Sequence, residues 1–212
     1  GAAPGTAAGI VARPGARPGP ATGIFLMTKM KLAFLGEPGS GKTTCIAALS
    51  DMPPVDTDVG CTDELAERKA TTTVAMDFGV VDLGEHGRLD LYGLPGQPRF
   101  RFMFEVVRSG LVGVVLLVDA SSPAGLDGFE ETLRTYASDL RGLPCVVALN
   151  RSDDMDPALP DACRTRLQAH RMLAPVIRVD ARRREDAVRI AELILTMLTY
   201  NERVAEELHG VE

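Results

Sequence analysis

Residues 36–43 read Gly36-Glu37-Pro38-Gly39-Ser40-Gly41-Lys42-Thr43, a complete G-x-x-x-x-G-K-T phosphate loop. Such a loop demands a buried strand before it and a helix after it. Residues 31–35 (Lys-Leu-Ala-Phe-Leu) fit a short buried strand, and residues 44–50 fit a helix. Gly36, Gly39 and Gly41 permit positive φ, so the backbone N–H groups can curl around a phosphate. Lys42 is a point charge for the β- and γ-phosphates, and Thr43 offers a hydroxyl to magnesium. The positive end of the helix dipole faces the same phosphates. Thr44, which opens the helix, is counted with the eight loop residues as a nucleotide contact.

The rest of the chain alternates strands and helices. A polar stretch over 51–72, holding Pro53-Pro54, is too long for a routine connection and is expected to be functional or mobile. Residues 74–82 and 88–92 read as an antiparallel hairpin around Gly84-Glu85-His86-Gly87. Residues 93–98 break the second strand, and 99–109 form a short helix carrying Phe100, Phe102 and Phe104. The continuous apolar run over 111–118 marks a strand buried on both faces. A helix over 126–140, a strand over 145–149, a helix over 160–171 and a strand over 175–179 follow. Ala187, Ile190, Ala191, Ile194, Met197 and Leu198 keep the spacing of a final amphipathic helix. This order predicts an α/β fold: a doubly wound, mainly parallel sheet of about six strands, with one antiparallel edge strand and helices on both faces. In such sheets the ligand sits beyond the C-terminal strand ends. The phosphate loop, 93–97, 150–153 and 180–182 all follow predicted strands and should converge there.

Each of those loops carries a chemical possibility beside a plain structural one. Gly96 can place a backbone N–H on a γ-phosphate while Gln97 orients an attacking water; the plain reading is a Pro-Gly turn with a solvated Gln. Of Thr71, Thr72 and Thr73, one can complete the magnesium shell when a γ-phosphate is present; otherwise they reflect β-propensity. Asn150-Arg151-Ser152-Asp153 can read guanine, because the Asp153 carboxylate accepts from the ring N–H and the exocyclic amine, a donor pair that adenine lacks. It can equally be a capped strand-to-helix loop. In Asp180-Ala181-Arg182 a backbone N–H can meet the base oxygen, or the segment is simply a turn.

Bulk properties narrow the partners. The chain has 212 residues, a net charge of −6 and no extended basic stripe, which argues against nucleic acid or an anionic membrane as main partner. No run is long enough to span a bilayer. Cys45, Cys61, Cys145 and Cys163 lack metal or redox spacing and read as reduced cytoplasmic thiols. Residues 1–26, rich in Gly, Ala and Pro, are expected to be a disordered tail or an appended expression sequence. Residues 27–212 then form one nucleotide-binding domain.

Taken in order, the phosphate loop, threonine switch, Pro95-Gly96-Gln97, N-x-x-D and Asp180-Ala181-Arg182 resemble a small Ras-like GTPase. Thr73-Val74-Ala75-Met76-Asp77-Phe78 and Leu91-Tyr92-Gly93-Leu94-Pro95-Gly96-Gln97 resemble more narrowly the bacterial MglA-type and actinobacterial conservon GTPases. The resemblance implies a switch that binds GTP or GDP with Mg2+ and hydrolyses GTP slowly. Gln97, Lys42 and Thr73 would be catalytic, Thr43 and Thr73 would hold the metal, and Asn150, Arg151, Asp153, Ala181 and Arg182 would hold the base. It further implies a Roadblock-domain activator or scaffold, an effector on the switch regions, and cytoplasmic location with recruitment to a membrane by partners. Three departures stand out. Gly93 replaces the usual D-x-x-G aspartate, Arg151 the usual N-K-x-D lysine, and Thr72 an arginine found in some relatives, so no built-in arginine finger is expected. A nucleotide-bound scaffold that does not hydrolyse and an ATP-using phosphate-loop enzyme are the competing readings.

Overall fold

The computed structural model describes residues 30–52 and 76–209. Strand β1 (Met30–Gly36) feeds the phosphate loop, and helix α1 (Lys42–Leu49) leaves it. Strands β2 (Asp77–Asp82) and β3 (Arg88–Pro95) form the hairpin. Helix α2 (Arg101–Val107) follows a single 3-10 turn at Pro98–Phe100. Then come β4 (Leu111–Asp119), α3 (Pro123–Leu140), β5 (Cys145–Asn150), α4 (Leu159–Ala169), β6 (Val176–Val179) and α5 (Arg184–His209). The sheet order is β2-β3-β1-β4-β5-β6. Among the described residues, only β2 runs antiparallel to its neighbour.

Alternation along β1 supplies both cores. Ala33 and Leu35 point to a core shared with Phe104, Leu133 and Tyr136 from α2 and α3. Leu32 and Phe34 point to the opposite core, with Ile46 of α1 and Ile190 and Ile194 of α5. Side chains of neighbouring residues in a strand leave on opposite faces, so a central strand must be apolar throughout to sit between two helical layers.

Several boundaries differ from the sequence expectation. Strand β3 does not break at Gly93 but continues to Pro95, because parallel pairing with β1 carries it on (Phe34 opposite Gly93, Gly36 opposite Pro95). Pro95 is tolerated at the strand's last position, where few ladder bonds remain to be lost. Helix α3 starts at Pro123, three residues early, with the Ser122 hydroxyl accepting from the Ala124 N–H at 3.2 Å. The three phenylalanines of the switch segment divide by position: Phe104 is fully buried, Phe100 partly, and Phe102 is 54% exposed. The expected strand start at 74–75, most of the long polar stretch, Cys61, and residues 1–26 lie outside the described residues.

Candidate functional site

The phosphate loop bridges the end of β1 and the start of α1. Gly41, the residue before the helix, has φ 105°, and a Cβ there would lie 2.4 Å from the Asn150 amide nitrogen. Both conformation and space therefore require glycine. Lys42 Nζ donates to the carbonyls of Gly36 and Glu37, each at 2.9 Å, and so spans the loop. Burial pushes the Lys42 ammonium below the ordinary lysine range, while the Asp77 and Glu37 carboxylates pull it back up. No acidic side chain occupies the first turn of α1 and none caps it, so its N–H groups face the loop free of side-chain competition.

Beside Lys42, the Thr43 hydroxyl donates to Asp77 Oδ1 at 2.8 Å. Asp77 opens β2 and lies opposite Gly93 in the hairpin register. A Cβ on Gly93 would come within 2.6 Å of Asp77 Oδ2 and 2.7 Å of its Cβ. The carboxylate missing at position 93 is thus matched by one from the adjacent strand, and its side chain covers the glycine. Sequence reading missed this residue as a site residue. Its signal was the aspartate of Thr73-x-x-x-Asp77, whose partner becomes visible only through strand register. The fit to magnesium can be tested on these atoms. A hydroxyl and a carboxylate in contact, next to a lysine placed for phosphates, are hard oxygen donors of the kind Mg2+ takes while keeping several waters. Thr43 would hold such an ion directly and Asp77 would orient its shell, while the ion would neutralise phosphate charge. Thr73 lies outside the described residues.

The Pro95-Gly96-Gln97 segment ends β3 and rests on the phosphate loop. The Gly96 N–H, expected to face a γ-phosphate, donates instead to the Gly36 carbonyl at 3.0 Å. Gln97 Nε2 donates to Glu37 Oε2 at 3.4 Å, a long bond. So the loop's own oxygens hold the donors of Lys42, Gly96 and Gln97.

The far end of the crevice is a cavity of about 700 Å³, lined by Gly41, Thr44, Asn150, Arg151, Asp153, Ala181 and Arg182 among others. Asn150 ties its walls together. Its Nδ2 donates to the Ser40 carbonyl at 2.9 Å and its Oδ1 accepts from the Ala181 N–H at 3.1 Å. The Ala181 N–H, expected to meet a base oxygen, thus has a partner within the protein, and Asn150 joins three loops while Asp153 stands exposed at the cavity. Arg151 adopts φ 56° and its guanidinium pairs with Asp119 at the end of β4. Burial would raise the Asp119 carboxyl, but hydrogen bonds from the Ser121 hydroxyl and N–H, with the Arg151 charge, outweigh it and hold it below the usual carboxylate range. Arg182 forks onto Asp180 at 2.9 and 2.7 Å. That fork, with the Arg182 N–H, draws the Asp180 carboxyl down to about 2. Asp186, opening α5, accepts from the Asp180 N–H at 2.9 Å and steadies this loop. Neither the Asp119–Arg151 pair nor the Asp186 contact carried a sequence signal.

Comparison with known proteins gives three kinds of likeness. A family model described as "Conserved hypothetical ATP binding protein" matches residues 55–205. ADP-ribosylation factor-like protein 8b of Arabidopsis thaliana is 27% identical over 132 residues, covering 61% of this chain and 65% of that protein. Ras-related protein Rab-18 of Lymnaea stagnalis is 26% identical over 119 residues, 53% of each chain. The chain thus spans about half to two-thirds of the length of these curated relatives. Among solved structures, the Arl6 BBS3 small GTPase from Trypanosoma brucei, with bound nucleotide analogue GppNp, superposes with a TM-score of 0.58 at 15% identity. That match covers 82% of this chain and 99% of that one. A bacterial selenocysteine-specific elongation factor gives 0.52 at 20% identity, over 81% of this chain and 29% of the other. At such identities the likeness is one of fold, and the fold is that of the Ras-like phosphate-loop GTPases.

Proposed function

The chain belongs to the family described as conserved hypothetical ATP binding proteins, and within it we propose, from the fold and the site geometry, that it is a small GTPase switch of the MglA or conservon type, binding GTP and GDP with Mg2+. The observation that carries the reading is the Asn150 amide, which joins the phosphate loop to the 180–182 loop at the cavity where Asp153 stands. This supports one nucleotide lying from Lys42 to Asp153. Loop amides and Lys42 hold its phosphates, Thr43 with Asp77 serves the magnesium, and Thr73 joins that shell in the triphosphate state. Ala181 and Arg182 line the base. The likeness to Arf- and Rab-named relatives favours guanine.

Gln97 positions the water, and hydrolysis is slow without a partner, since no built-in arginine finger is expected with Thr72 in the place of the arginine some relatives carry. A Roadblock-domain partner acts as activator or scaffold, and an effector docks on the switch segments, where Phe102 is exposed. The protein works in the cytoplasm in polarity, motility or signalling, and partners recruit it to the membrane. Among the described residues no helix is long and apolar enough to cross one.

One observation favours a second reading: the family description names ATP. Competition separates the two. GTP is expected to displace labelled GDP from the chain in the presence of Mg2+, and ATP at equal concentration is not. Asp153→Ala should weaken GDP binding by at least about 100-fold, since each of the two hydrogen bonds to the charged acceptor is worth ~1.5–3 kcal/mol. Equal displacement by ATP, or an unaltered Asp153→Ala variant, would remove the guanine assignment.

A further inference from the structure

Glu37, the second residue of the phosphate loop, uses its two ends in opposite directions. Its backbone carbonyl accepts from Lys42 Nζ. Its side chain runs the other way, over Gly128 of α3, where a Cβ would sit 2.2 Å from Glu37 Cγ. There its carboxylate meets Gln97 Nε2. Helix α3 braces the arrangement from behind. The Tyr136 hydroxyl donates to the Pro95 carbonyl at 3.2 Å, and Thr132 Oγ1 lies 2.3 Å from where a Gly96 Cβ would be. Yet the pair is poorly satisfied. Glu37 Oε1 and Gln97 Oε1 are both buried without a hydrogen-bond partner, as is the nearby Ser40 hydroxyl. An unpaired buried oxygen is costly, so a contact that leaves two of them is easily exchanged for a better one.

We infer that Glu37 is a positioning residue: its carboxylate latches Gln97 against α3, at Gly128, and keeps unassisted hydrolysis slow. The inference rests on the proposed GTPase reading. Release needs no remodelling of the loop backbone, only the loss of one long hydrogen bond and a rotation of Gln97 toward the phosphates. A group that satisfies Glu37 Oε1 better than Gln97 does would open the latch.

The test is single-turnover hydrolysis of MgGTP by the full chain and by two variants that open the latch from different sides. Glu37→Asp keeps the charge but is one methylene too short to reach. Gly128→Ala leaves the loop sequence intact and displaces the Glu37 side chain. Each is expected to hydrolyse about fivefold faster, the population shift that one ordinary hydrogen bond supports. Adding Gln97→Ala to either variant should abolish the gain, which a purely structural effect on the loop would not require. Unchanged or slower rates in both variants, or a gain that survives Gln97→Ala, would overturn the latch. Failure of the parent chain to bind labelled GTP would appear before any rate is read, and it would overturn the GTPase reading and the latch with it.

Discussion

Asp77 and Gly93 face each other across one hairpin register, and only one of the two positions can carry a carboxylate, because the Asp77 side chain occupies the space a Gly93 side chain would need. A carboxylate can therefore move between adjacent strands while its charge stays nearly in place. Asp77→Asn keeps the shape and removes the charge. It should raise the Mg2+ concentration needed to retain GDP by about tenfold, the usual cost of losing a group that orients a metal's shell. Nucleotide dissociation measured against Mg2+ concentration reads this directly. The exchange variant Asp77→Gly with Gly93→Asp should recover most of the loss, whereas Gly93→Ala alone should not be tolerated in the parent. Asp119 makes a separate case. Its carboxyl is held low in the folded chain, so its contribution is present above the unfolded value of about 3.9 and is lost as pH falls through the folded value. Parent minus Asp119→Asn stability, from urea midpoints, should be positive at neutral pH and shrink as pH falls below about 3.9. It should stay within about 1 kcal/mol, because Arg151 is half exposed.

Helix α1 is short, and its C-terminal end depends on a residue far away in sequence. Its last turn contains no basic residue. Arg184, the first residue of α5, donates through Nη1 to the carbonyls of Ala48 and Leu49 at 3.1 Å each and through Nη2 to Asp51 at 2.6 Å. It thereby satisfies carbonyls that a helix end leaves open and complements the negative end of its dipole. Arg184→Ala should lower unfolding free energy by about 1–2 kcal/mol. Chemical denaturation checks this, and part of the loss should persist in high salt because the carbonyl bonds are not an ion pair. Asn150→Ala should be worse, about 2–4 kcal/mol, since it strands a buried carbonyl on Ser40 and an N–H on Ala181. These elements differ in how readable they were. Strands β4 and β5 were plain in their apolar runs, since burial on both faces writes itself into every residue. The end of β3 was not, because Gly93 and Pro95 break a strand by local preference and only pairing with β1 overrides them. Which loops would meet followed from strand order. How they meet did not: Asp77 with Thr43, Arg184 with α1 and Glu37 with Gln97 depend on register and side-chain direction, which no spacing along the chain encodes.

At the scale of the molecule, the four loops gather at the C-terminal ends of the parallel strands, where Lys42 and the N–H groups of the phosphate loop and α1 meet. The N–H groups of α1 and the loop are fixed by the fold in advance of any ligand, so a bound nucleotide should stabilise the whole domain and not merely fill a cavity. Binding to the folded state alone adds about 2.7 kcal/mol at a hundredfold excess over Kd. For a domain of this size that raises the thermal midpoint by about 5–10 °C. GDP with Mg2+ is expected to produce this shift, chelation of the metal to remove part of it, and ATP at the same concentration to leave the midpoint where it was. The Asn150 tie makes the prediction sharper. Because that amide couples the phosphate loop to the 180–182 loop, Asn150→Ala should shrink the GDP-induced shift as well as the starting midpoint, whereas Arg184→Ala, whose side chain bonds the C-terminal end of α1 and neither loop, should lower the midpoint and leave the shift intact. A midpoint raised equally by ATP and GDP would mean that the phosphate end of the crevice binds alone and the base end contributes nothing.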